Sequence, residues 1–162
     1  KISWQEYKRD LDNNLISLVE RLKKKKFKPL PAKRVYIPKA NGELRPLGIS
    51  SIENKIVESG ITRILQSIYE ADFLNCSYGF RPKRNTHQAL NEIDTIIMTQ
   101  PVNHIVEADI KGFFDNVNHD MLMEFIKIRI KDTSLLLLIE KFLKAGYVDN
   151  NLLVKTDIGT PQ

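Results

Sequence analysis

Apolar residues along this chain recur with two different periods, and the switches between them mark its elements. Trp4, Tyr7, Leu11, Leu15, Leu18 and Leu22 keep helical spacing and predict one amphipathic helix, stopped by Pro29 and Pro31. Arg34-Val35-Tyr36-Ile37 and Leu44-Arg45-Pro46-Leu47 read as strands joined through Asn41-Gly42, a hairpin signal. Pro46 implies that the second strand is an edge strand or an irregular one. Ser50 and Glu53 form a capping box for a helix lined by Ile56, Gly60, Ile61, Ile64, Leu65 and Ile68. A loop follows over 74–85. Thr86 is placed as the cap of a helix with Ala89, Leu90, Ile93 and Ile97 turned inward, broken by Pro101.

The next run, His104 to Ala108, is apolar enough for a buried strand and stops on Asp109. Gly112 permits a tight bend, and Phe113 and Phe114 follow, with Phe113 expected in the core. A carboxylate at the end of a buried strand needs a cation, a metal or a hydrogen-bond network. Asn118 is placed as the cap of a helix carrying Leu122, Phe125 and Ile126. Asp132 or Thr133 caps the next, Leu135 to Leu143, with Gly146 as its stop. Leu152-Leu153-Val154 reads as a short strand. The chain closes on the loop-like Gly159-Thr160-Pro161-Gln162, which suggests a fragment of a longer polypeptide.

Charge changes the picture more than composition does. The 162 residues suffice for one domain or two small ones, and 42% apolar with 28% charged is an ordinary globular balance. The single cysteine, Cys76, excludes an internal disulfide and a cysteine-based zinc cluster. No apolar run is long enough to span a bilayer, so no membrane partner is expected. A reducing compartment, bacterial cytoplasm or organelle matrix, is the simplest reading. Residues 1–48 carry 13 Lys/Arg against 5 Asp/Glu, whereas 49–162 carry 12 against 15. The basic part suits a polyanion, and the acidic part could seat a divalent cation.

Five ordered segments then carry a resemblance. They are Ile37-Pro38-Lys39-Ala40-Asn41-Gly42-Glu43-Leu44-Arg45-Pro46-Leu47-Gly48-Ile49, Ser77-Tyr78-Gly79-Phe80-Arg81-Pro82, Ala108-Asp109-Ile110-Lys111-Gly112-Phe113-Phe114-Asp115, Leu143-Lys144-Ala145-Gly146 and Gly159-Thr160-Pro161-Gln162. In this order they resemble the reverse transcriptase domain of group II intron-encoded maturases, over about residues 30–162. The resemblance implies an α+β right-hand polymerase: N-terminal extension and mainly helical fingers with an antiparallel hairpin over 1–100, and the first part of the palm over 101–162.

The same resemblance implies roles. Lys39 and Arg45 match fingers residues that grip the triphosphate of a dNTP. Lys offers a point charge and Arg a two-pronged donor for phosphate. Asp109 matches the first catalytic aspartate and a metal ligand, with the backbone carbonyl of Ile110 beside it, in a site for two Mg²⁺ ions. Phe114 matches the ring that excludes a 2′-hydroxyl. Gln162 matches a glutamine that contacts the nascent base pair. Arg81, Lys83 and Arg84, interleaved with Tyr78 and Phe80, suit a single-stranded RNA template. Lys23, Lys24, Lys25 and Lys26 suit RNA phosphates.

His87, His104 and His119 show no metal-ligand spacing and are assigned no chemistry. Asp115 and Asp120 read as turn and helix-start residues. The partners implied are template and intron RNA, a DNA primer and dNTPs, with homodimerisation left open. The family's paired-aspartate palm motif does not occur within the 162 residues, so this stretch alone is expected to be inactive. A non-catalytic RNA-binding splicing role is the alternative. A Mg²⁺-dependent phosphodiesterase using Asp109, Asp115 and Asp120 is a third reading, disfavoured by the resemblance.

Overall fold

The protein is described here by a computed structural model covering residues 2–40 and 42–160. Two compact units emerge: residues up to Ile61 together with those from Gly112 onward, and the intervening Thr62–Lys111.

The first unit begins with two helices where the periodicity predicts one. α1 (Trp4–Arg9) and α2 (Leu11–Lys23) are separated by Asp10, at φ −131° and ψ 50°. Side chains satisfy polar groups at the break. Asn13 Nδ2 donates to Asp10 Oδ1 at 2.7 Å, and Asn14 Nδ2 donates to the Tyr7 carbonyl at 3.0 Å. This is the local side-chain competition that makes Asp and Asn weak helix formers. Helix α2 ends ahead of the prolines, where Lys25 turns left-handed at φ +56°.

Phe27 follows and is buried against Leu18 and Val57, with Leu22, Ile56, Ile61, Leu138 and Phe142 packed around them. Strand β1 (Ala32–Pro38) pairs antiparallel with β2 (Leu44–Ile49), and Tyr36 lies opposite Pro46. Strand β2 is an edge strand in the order β2-β1-β3-β4, which suits a proline that cannot donate to a ladder. Strands β3 (Tyr147–Asp149) and β4 (Leu152–Val154) form a second hairpin, and β3 pairs parallel with β1 through Ala32 and Tyr147. Asn150 and Asn151 take φ +46° and +64°, the conformation a two-residue hairpin turn demands. Gly146, left-handed at φ +69°, is packed so closely on the Val154 backbone that a side chain would not fit.

Helix α3 (Ile52–Tyr69) starts one residue later than its expected cap. Ser51 Oγ, rather than Ser50, accepts the Asn54 N–H. Glu53 is thereby free to pair with Arg21 on α2 through both carboxylate oxygens, at 2.5 and 3.0 Å, which raises the Arg21 pKa further. Asn54 is buried and clamps Leu30, accepting its N–H at 3.1 Å and donating to its carbonyl at 2.8 Å. Helices α5 (His119–Arg129) and α6 (Thr133–Leu143) are capped by Asn118 and Asp132, as the sequence predicts. They bury Met123, Ile126, Ile139 and Leu143, together with Ile130 just after α5.

The second unit takes the last turns of α3, a loop, and α4 (Thr86–Thr99). The cap of α4 is Asn85 with Gln88 in a reciprocal box, not Thr86. The expected inward face is not buried: Leu90 is 56% and Ile93 53% exposed. In the loop, Arg81 donates to Glu70 at 2.8 Å and to the carbonyls of Leu74 and Ser77 at 2.8 and 2.9 Å. Its guanidinium also lies 5.0 Å from the Phe73 ring centroid. The bond to Arg81 holds the Glu70 carboxyl below its usual pKa.

The predicted strand at 104–109 is absent. Residues 101–110 form no regular element, and Ile105 and Val106 are 77% and 90% exposed. A strand exists only where its backbone has a ladder partner, and among the described residues nothing pairs with this run. No helix among the described residues is long and apolar enough to cross a membrane.

Two outcomes test these contacts. Asn54→Ala leaves both Leu30 backbone groups without their partner and lowers stability by about 2 kcal/mol in urea unfolding. Because the folded Glu70 pKa is depressed, its pairing is complete above the unfolded carboxylate pKa and is lost as pH falls through the folded value. Acidification therefore increases the mobility of loop 74–84, read by NMR relaxation of its amides. Arg81→Ala produces that mobility at neutral pH and removes its dependence on acid.

Candidate functional site

The β1–β2 hairpin presents two of the expected cations. Arg45 sits in β2 opposite Ile37 and is exposed. Lys39 leaves the ladder just after Pro38, and the connection is closed by Lys39 N–H to Glu43 O at 2.7 Å and Gly42 N–H to Lys39 O at 3.0 Å. Gly42 supplies the required positive φ of +83°. Lys39 Nζ lies 2.9 Å from Glu43 Oε2, an exposed pair that stabilises little.

Asp109 and Ile110 lie in the irregular segment of the second unit, both exposed. Asp109 makes no ion pair or hydrogen bond among the described residues. The carboxylate is thus not consumed by a structural role. With the Ile110 carbonyl it offers oxygen donors of the type Mg²⁺ prefers. Among the described residues no three His, Cys, Asp or Glu side chains cluster to complete a metal site.

The aromatic pair lies in the first unit. Gly112 turns left-handed at φ +63°, and Asn116 Nδ2 donates to its carbonyl at 2.8 Å. Phe114 begins a single 3₁₀ turn, Phe114–Asn116. Phe113 and Phe114 meet edge to face at 5.4 Å, and both are about half exposed. Phe113 is therefore not in the core: the 3₁₀ turn lies at the surface, and the ring packs on Phe114 instead. Both rings border open space, which is the condition a substrate-contacting aromatic needs.

The three cations expected at the template differ in state. Arg81 is engaged inside its loop, its side chain only 6% exposed. Arg84 donates to the Asn75 carbonyl at 3.2 Å and lies 5.2 Å from the Tyr78 ring centroid. Lys83 is exposed, at a left-handed φ of +60°. Phe80 is fully exposed, also left-handed at φ +55°, so it anchors no core and is open to stack on a base. Lys23 to Lys26 are all exposed, and Lys24 pairs with Glu20 at 3.2 Å. Gln162 lies outside the described residues.

One feature had no sequence signal. Arg34 stacks 3.5 Å over the Tyr147 ring and lines a cleft of about 370 Å³ with Asp115, Lys155, Asp157 and Gly159. Beside it, His119 is buried and bonded to the Gly159 carbonyl. Its partner lies forty residues further along the chain, and no local pattern reports such a contact.

Comparison with known proteins bears on this arrangement. The chain is 41% identical over 152 residues to the group II intron-encoded protein LtrA of Lactococcus lactis, covering 93% of this chain and 25% of that protein. It is 39% identical over 139 residues to protein YkfC of Escherichia coli, 84% of this chain and 36% of the relative. It is also 39% identical over 145 residues to an uncharacterized 91 kDa protein in a cob intron of Schizosaccharomyces pombe, 90% of this chain and 18% of that one. The chain thus spans between about a fifth and about a third of the length of these relatives. Residues 37–162, which include both hairpin cations, Asp109 and Phe114, match the family described as reverse transcriptase (RNA-dependent DNA polymerase). On these matches the chain belongs to the reverse transcriptase family, in its group II intron-encoded maturase branch.

Proposed function

We propose that this chain is the N-terminal extension and fingers (1–100) and the first part of the palm (101–162) of an RNA-directed DNA polymerase. That polymerase copies an RNA template from dNTPs and binds intron RNA. The observation that carries the reading is Asp109: inside the family match, exposed, and without an internal partner among the described residues.

Each residue has a role that follows from its chemistry. Lys39 and Arg45 bind the triphosphate, the lysine as a point charge and the arginine through paired donors. Phe114 lies under the sugar and leaves no space for a 2′-hydroxyl. Gln162 contacts the new base pair. Asp109 and the Ile110 carbonyl hold Mg²⁺, two ions in the complete site, which when bound supply charge stabilisation at the reacting phosphate. Lys83, Arg84 and Phe80 track template, while Arg81 shapes the loop that presents them. Lys23 to Lys26 contact RNA phosphates.

The exposed lysine run also supports the alternative, an RNA-binding splicing role of the kind named by the maturase among the relatives. The Arabidopsis thaliana nuclear intron maturase 1 matches 57% of this chain at 32% identity.

Three variants of a protein of the relatives' full length test the proposal. Asp109→Ala abolishes primer extension while intron RNA binding persists; extension by that variant would refute the catalytic assignment. Phe114→Ala lowers the preference for dNTPs over rNTPs by about tenfold or more, read as a ratio of kcat/KM values. Reversing the charges at Lys23 to Lys26 weakens intron binding across sequences and flattens its salt dependence, measured by filter binding at several salt concentrations.

A further inference from the structure

The turn that carries Phe114 is fastened to a distant segment at one place, and His119 is at its centre. His119 opens α5 and is 5% exposed. Its Nε2 lies 2.6 Å from the Gly159 carbonyl oxygen. A carbonyl only accepts, so Nε2 carries the proton and donates. Nδ1 is left buried without a partner among the described residues.

The backbone reinforces this contact. Gly159 N–H donates to the Val117 carbonyl and Thr160 N–H to the Phe114 carbonyl, each at 2.8 Å. Asn118 and Ile158 form an isolated β-bridge. Gly159 is left-handed at φ +75°, and a Cβ there would stand 2.6 Å from the Asp115 carbonyl oxygen. Segment 157–160 therefore lies flush against the backbone of 114–118, with no space for a side chain between them.

We propose that His119 is a positioning residue for nucleotide selection: through Gly159 it locks segment 157–160 onto the turn bearing Phe114, and so fixes where that ring meets the sugar. The proposal rests on the polymerase reading given above. A residue present only to fill volume would not carry an imidazole, because a buried, unpaired Nδ1 costs stability that an apolar side chain avoids. The donor at Nε2 is the part of the ring that the fold uses.

The experiment compares His119→Leu and His119→Gln in the full-length protein. Leucine keeps volume and removes the donor, whereas the glutamine amide restores a donor near Nε2. Two readouts are taken: the dNTP-to-rNTP ratio of kcat/KM, and hydrogen exchange at the Gly159 and Thr160 amides. His119→Leu is expected to lower the ratio about three- to tenfold, the scale of one hydrogen bond, mainly through a higher KM for dNTPs. Both amides exchange faster in that variant, and His119→Gln recovers most of each effect.

An unchanged ratio in His119→Leu, or a glutamine variant no better than leucine, overturns the proposal. Should His119→Leu fail to fold, Gly159→Ala tests the same lock from the other side and must lower the ratio with His119 intact; an unaltered ratio there overturns the proposal equally. Absence of primer extension by the unsubstituted full-length protein would defeat the polymerase reading and this proposal's catalytic consequence with it. Asp109-dependent synthesis with a His119-independent ratio defeats this proposal alone.

Discussion

The burial of Phe27 is the constraint from which the first unit is organised. Its side chain is 2% exposed and packs against Phe142 of α6, with ring centroids 6.1 Å apart. Full burial of such a ring contributes about 1.5–3 kcal/mol. Lys141 of α6 donates to the carbonyls of Lys25 and Phe27, so the turn after α2 has its backbone satisfied by the helix it packs on. Three residues later Asn54 of α3 clamps Leu30. The chain is thus fixed at both ends of a short connection before it enters β1. The hairpin that carries Lys39 and Arg45 inherits its placement from an aromatic residue with no chemistry of its own.

Legibility from sequence followed the range of the interaction. The helices around Leu18, Val57 and Ile139 were readable because their apolar period is local. Caps were readable to within a residue. Ser51 and Asn85 cap where Ser50 and Thr86 were expected, since adjacent polar residues compete for one position and tertiary packing chooses between them. The break at Asp10 was hidden because the apolar spacing continues through it. Strand β3 was missed although the equally short β4 was read, because Leu152-Leu153-Val154 is uniformly apolar whereas Tyr147-Val148-Asp149 is mixed, and the identity of β3 comes from pairing with β1. The run at 104–109 shows the opposite error: its composition suits a strand, but composition does not provide a neighbour.

The candidate site divides in the same way. Lys39, Arg45, Asp109 and Phe114 could be nominated from sequence because each sits in a short contiguous motif, and their roles are those proposed above. The internal engagement of Arg81, with acceptors as far back as Glu70, was not. Neither was His119, whose role exists only after the fold brings Gly159 to it. The second unit exposes most of its apolar side chains, including Met98 at 77% and Ile105 at 77%.

The parallel pairing of Ala32 with Tyr147 also has a kinetic meaning. Two hairpins form from neighbouring residues, but the ladder joining them closes a loop of more than a hundred residues. Closing so long a loop is entropically unfavourable until the contacts it enables are made. On a translating ribosome the first hairpin emerges many residues before its parallel neighbour exists. In that interval the free edge of β1 is a template for the wrong strand, which makes the order of emergence, as much as the finished fold, a determinant of yield.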